Sequence, residues 1–190
     1  MFQKLYYQKI LFFRILLVLL VYSICRIVFL IFNPAFYQFE FSELVFAFYV
    51  GLLFDFSAII YSNSLLILLH VIPFKFRENK GYQLFLKWYF CIVNSLAVLL
   101  NLIDTEYYRF SGKRSGLELI KMAEELSGVW KNYLIDYWYI LIILALLIYM
   151  LYYFYEIIES KFIYQKITYN SMQIKKELII LEPGWDFLRT

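Results

Sequence analysis

Four long apolar runs, at 10–32, 41–73, 83–103 and 134–155, divide this chain, and polar residues gather in the connections between them. A helix rises 1.5 Å per residue, so about 20 apolar residues cross a ~30 Å hydrocarbon core. Each run meets that length and predicts a transmembrane helix. The second run has 33 residues, ~50 Å as an unbroken helix, so it must tilt, protrude or break. Splitting it at Ser62-Asn63-Ser64 leaves only 65–73 on one side, too short to span, which predicts one long irregular span rather than two. Between the third and fourth runs, Ser115-Gly116-Leu117-Glu118 has capping-box spacing, and Leu119, Ile120, Ala123, Leu126 and Trp130 follow at helical intervals. This pattern predicts a short amphipathic helix over 115–128 lying in the interface. The expected fold is an all-α, polytopic bundle of about four spans plus that helix, with 156–190 as a tail.

Composition agrees with lipid as the solvent. The 190 residues are 63% hydrophobic and 23% aromatic, beyond the usual make-up of a soluble domain. A net charge of +3, scattered along the chain, does not suggest nucleic acid. Basic residues flank the runs and set an expected orientation. With a cytoplasmic N-terminus, eight basic residues near the membrane fall inside (Lys4, Lys9, Arg14, Lys75, Arg77, Lys80, Lys161, Lys166). Five fall outside: Arg109, Lys113, Arg114, Lys121 and Lys131. Both termini are therefore expected in the cytoplasm. The first run is too long for a signal-peptide core and lacks a small-x-small site, so it reads as a retained anchor. Aromatic belts bracket the last span, from Trp130, Tyr133, Tyr137, Trp138 and Tyr139 to Tyr149, Tyr152, Tyr153 and Tyr155. Cys25 and Cys91, each isolated in an apolar run, read as small hydrophobes.

Any chemistry rests on the few polar groups at membrane depth. Asp55 lies mid-run, where a carboxylate costs at least ~2.5 kcal/mol by insertion scales. Counting from the run midpoints places Asp55 ~3 Å and Arg26 ~7.5 Å on the outer side, with Arg14 ~10.5 Å on the inner side. Arg26 is therefore the expected ionic partner. Two other readings of Asp55 stay open, a hydrogen bond bracing a kink and a substrate contact. Asp104, Glu106, Arg109, Lys113 and Arg114 cluster where the third span leaves the membrane. They read either as a self-neutralising solvated loop or as a phospholipid-headgroup site, because the arginine fork suits phosphate. His70, the single histidine, is expected as an interfacial side chain. Asn94 and Asn101 are expected to bond neighbouring helices. The residues offer no metal-ligating or catalytic constellation.

Three strings, in order, carry a family resemblance: Gly51-Leu52-Leu53-Phe54-Asp55-Phe56-Ser57-Ala58 with Tyr61 and Asn63, then Asn101-Leu102-Ile103-Asp104-Thr105-Glu106-Tyr107-Tyr108-Arg109-Phe110, then Lys113-Arg114-Ser115. Over about 12–155 the chain resembles the membrane region of the lipoteichoic acid synthase family, whose members carry a sulfatase-like domain. The resemblance implies five spans followed by an extracytoplasmic domain. That domain has a threonine nucleophile and a divalent metal such as manganese, and it transfers glycerol phosphate or a related group from a phospholipid. No apolar run in 156–190 is long enough for a fifth span, and no catalytic residue carries over. The expectation is a membrane-anchoring, headgroup-facing module, inactive alone. Its expected partners are membrane lipids and a separately encoded sulfatase-like domain. A small subunit of a transporter or other membrane complex, with Asp55 and Arg26 lining a path, is the alternative.

Overall fold

The computed structural model describes residues 2–71, 79–114, 116 and 135–181. It is all-helical there, with five α-helices: α1 (Phe2–Phe32), α2 (Phe41–Ser62), α3 (Ser64–Val71), α4 (Lys80–Ser111) and α5 (Trp138–Leu181). Four of them (α1, α2, α4 and α5) are long and apolar enough to cross a membrane, the architecture of a multi-pass membrane protein. The interfacial helix expected over 115–128 lies, Gly116 aside, outside the described residues.

Helix ends follow local chemistry. Asn33 precedes Pro34, which disfavours helical backbone at Asn33, and α1 gives way to a 3₁₀ turn at Pro34–Gln38. At the start of α2 the Glu43 carboxylate accepts from the Glu40 N–H at 3.1 Å. Asn79 caps α4, its side-chain oxygen accepting from the Gly81 N–H at 2.9 Å. Gly112 closes α4 with φ +65°, a left-handed conformation that glycine adopts without steric cost.

Helices α1, α4 and α5 pack mutually, while α2 and α3 lean chiefly on α1. The seam of α4 is a single stripe, Leu86, Phe90, Asn94, Val98 and Leu102, at intervals of four. Val18, Val21 and Cys25 of α1 and Leu147, Leu151 and Tyr155 of α5 meet it. The outward faces remain apolar, as at Phe46, Phe54, Trp88, Ile92 and Leu146, which suits contact with lipid chains. The least covered of the four spans is α2.

Two element bounds differ from expectation. The second run is jointed at Asn63, where the backbone leaves helical geometry (φ −98°, ψ 12°) between α2 and α3. Hydrogen bonds still cross the joint, from the Asn63 N–H to the Ile59 carbonyl and from the Ile67 N–H to the Asn63 carbonyl, both at 2.9 Å. The over-long run is thus one jointed rod. The other difference is α5, whose helix continues past residue 155 to Leu181. Its 44 residues amount to ~66 Å, about twice the hydrocarbon thickness.

Candidate functional site

The bundle has two ends. One, the loop end, joins the C-terminus of α1, the N-terminus of α2 and the C-terminus of α4. The other, the terminal end, holds the starts of α1 and α4, the end of α3 and the later half of α5. Ionisable groups at membrane depth gather at three places between them.

Midway along α1 and α2, Arg26 Nη2 donates to Asp55 Oδ2 at 2.6 Å. The side chains are only 17% and 15% exposed, so the contact joins two groups that would each be costly alone in lipid. Gly51, one turn before Asp55, makes the approach possible. A Cβ built on Gly51 would overlap the Arg26 guanidinium. A small residue at this crossing lets the cation pass between the helices to reach its carboxylate.

At the loop end, the exit of α4 separates its charges by sign. Asp104 and Glu106 turn inward, their side chains 10% and 11% exposed. Arg109, Lys113 and Arg114 stay exposed. Arg114 Nε donates to Asp104 Oδ2 at 2.8 Å, and its guanidinium carbon lies 5.5 Å from the Phe29 ring centre. Tyr139 of α5 donates its hydroxyl to Glu106 Oε1 at 2.8 Å, while Glu106 Oε2 faces Arg109 Nη1 at 3.7 Å. Between these two acids, Thr105 offers its carbonyl to Asn33 Nδ2 at 3.2 Å, which ties α1 to α4. Phe29, Phe36 and Tyr108 form a packed aromatic trio beside them, with ring centres 5.1–5.6 Å apart. The structure thus brings together Asp104 with Arg114 and Glu106 with Arg109. Lys113 is held through its backbone, its N–H donating to Ser111 Oγ and its carbonyl accepting from the same hydroxyl at 2.9 Å.

The terminal end holds a cluster that charge and depth counting miss. Arg14 is 1% exposed. Its Nη1 donates to His70 Nε2 at 2.8 Å, its Cζ sits 3.9 Å over the Tyr155 ring, and its Nη2 lies 3.6 Å from Glu159 Oε2. Lys87 of α4 is ion-paired with Glu156 of α5 and lies 4.1 Å over the Tyr152 ring.

Three expectations are corrected here. His70 is buried against Arg14 instead of lying in the interface, because α3 continues to pack on α1 beyond the Asn63 joint. Tyr155 belongs to the core and not to an aromatic belt, since Arg14 needs an apolar, electron-rich face once it is removed from water. Asn101 donates within its own helix, to the Ala97 carbonyl, because it lies one position before the seam residue Leu102 and off the buried stripe. Asn94 does bond a neighbour. It exchanges two amide hydrogen bonds with Asn63 at 3.0 and 3.1 Å, both side chains fully buried. Both cysteines are free thiols. Among the described residues no group of three His, Cys, Asp or Glu side chains converges as a metal site.

No protein-family profile, curated protein or solved structure matches this chain.

Proposed function

We propose that this chain is the membrane-anchoring module of a lipoteichoic acid synthase-like phosphotransferase, with its loop end facing anionic phospholipid headgroups of the outer leaflet. The separation of charge at the exit of α4 carries this reading. Asp104 and Glu106 are buried, each beside one arginine of the rim, and the exposed charge at this end is the cationic rim of Arg109, Lys113 and Arg114. Arginine offers a planar donor fork that matches phosphate oxygens, and lysine adds a point charge. The aromatic trio beside the rim suits the headgroup level. In this reading both termini are cytoplasmic, the membrane is a bacterial inner membrane, and phosphotransfer belongs to a sulfatase-like domain that works with this module.

Competition between phospholipids tests the site. Nanodiscs holding equal phosphatidylglycerol and phosphatidylcholine, analysed by native mass spectrometry after detergent release, should show phosphatidylglycerol retained on the wild-type chain. The triple variant Arg109→Gln, Lys113→Gln, Arg114→Gln should lose that preference. Equal retention by both proteins would overturn the headgroup assignment. Orientation is read separately, by labelling intact cells from outside. A cysteine at position 115 should be modified and one at position 79 spared, and the reverse would refute the topology.

A further inference from the structure

The Arg14–His70 contact has a protonation state that its partners define. His70 Nδ1 lies 2.8 Å from the Leu66 carbonyl oxygen, which can only accept, so Nδ1 carries a proton. Nε2 lies 2.8 Å from Arg14 Nη1, a permanent donor, so Nε2 presents its lone pair. His70 is therefore the neutral Nδ1–H tautomer, and its one open valence is the contact that joins α3 to α1. A second proton has no other place to bind than Nε2. It would set an imidazolium against a guanidinium, two donors and two positive charges at hydrogen-bond distance, in a buried site. That contact cannot survive protonation.

We infer that Nε2 of His70 is a proton-binding site that latches α3 to α1 when empty and releases it when occupied. The surrounding groups decide which element moves. Arg14 is held from the α5 side by the Tyr155 ring and Glu159, and both contacts remain favourable to a guanidinium after His70 is charged. From α4, Cys91 lies in the electrostatic reach of Arg14 and of the Lys87–Glu156 ion pair. Arg14 thus stays with α5, and α3 is the element released. Ties to α4 persist at the joint and along α3. The Asn63–Asn94 amide pair holds the joint, and Tyr82 donates its hydroxyl to the Leu69 carbonyl at 3.0 Å. The motion is a pivot of an eight-residue helix about Asn63, away from α1. Protons arriving at the terminal end would in this way reset the packing of the bundle on that face.

The test uses the full chain in nanodiscs between about pH 8 and pH 5, the range in which histidine changes charge. His70 is the only histidine, so its imidazole ¹⁵N signals are unambiguous. At pH 8 they should report the Nδ1–H tautomer alone, and acidification should protonate Nε2. Spin labels at the exposed positions Phe12 and Leu68, in a Cys25→Ala, Cys91→Ala background, should move apart over the same pH range. His70→Gln offers Arg14 an amide oxygen at every pH, so its label distance should stay constant. Arg14→Gln removes the opposing charge, so His70 should still titrate there while the labels stay close. The inference is overturned if His70 remains neutral at pH 5, if it protonates at constant label distance, or if either variant responds like the wild type.

Discussion

Arg14 and Arg26 stand 12 residues apart on one helix, ~18 Å along its axis, and each carries a permanent charge in the apolar half of the molecule. Their solutions differ. Arg26 meets one carboxylate at 2.6 Å, and Gly51 clears the path. Arg14 meets a neutral imidazole and a tyrosine ring at close range, with its carboxylate at 3.6 Å. One arginine is neutralised by a single strong pair, the other by several weaker contacts from two helices. The first arrangement should fail abruptly when either partner is lost. The second should degrade in steps and respond to protons, because one of its partners titrates.

The largest effect is expected at the strong pair. Asp55→Asn or Arg26→Gln alone leaves an uncompensated charge in a low-dielectric site, a loss of about 3–5 kcal/mol when a buried pair is broken from one side. Thermal unfolding in detergent should show both single variants strongly destabilised and the double variant substantially restored. Strictly additive losses would mean that the pair does not couple.

Gly51→Ala sharpens the same contrast. In the native background its methyl overlaps the Arg26 guanidinium, and overpacking of this kind costs about 1–3 kcal/mol. In the Arg26→Gln, Asp55→Asn background the obstacle is shorter and uncharged. There the substitution should approach the ~0.5–1 kcal/mol helix benefit of alanine over glycine. The same loss in both backgrounds would remove Gly51 from the account of the pair.

A smaller effect is expected at the joint. Asn94→Leu deletes both amide bonds to Asn63 and should cost about 0.6–1.7 kcal/mol, the range measured for hydrogen bonds between membrane helices. The smallest belongs to the distributed site. Glu159→Gln removes a partly exposed carboxylate at 3.6 Å and should cost below ~1 kcal/mol. A Glu159 effect as large as that of Asp55 would erase the distinction between the two arginines.

Legibility in the sequence followed distance along the helix axis. Arg26 and Asp55 sit near the middles of their runs, where counting residues from a midpoint gives depth with little accumulated error. The same counting separates Asn63 from Asn94 by ~10 Å, although the two touch. It fails because tilt and the joint change depth progressively toward the ends of a long run. His70 was misread for the same reason, lying beyond the joint. At the exit of α4 the cluster itself was visible as five charged residues within 11 positions. Its division into buried acids and exposed bases was not, because that depends on Tyr139 from α5 and on the turn that Gly112 begins.

Hydrophobicity by itself determined that the chain is helical and how many of its helices can span, because backbone polar groups in lipid must be satisfied within each segment. The sign and position of the charges determined that Asp55 needed Arg26. Tertiary structure decided the rest: which asparagines pair, that Arg14 rests on His70 and Tyr155, and that α2 leans on α1 while α4 and α5 close the core. Lipid is as apolar as leucine, so the apolar faces of these helices carry little instruction about their neighbours. Partners are chosen by tilt, close approach and a few polar contacts, and those exist only once the helices have packed.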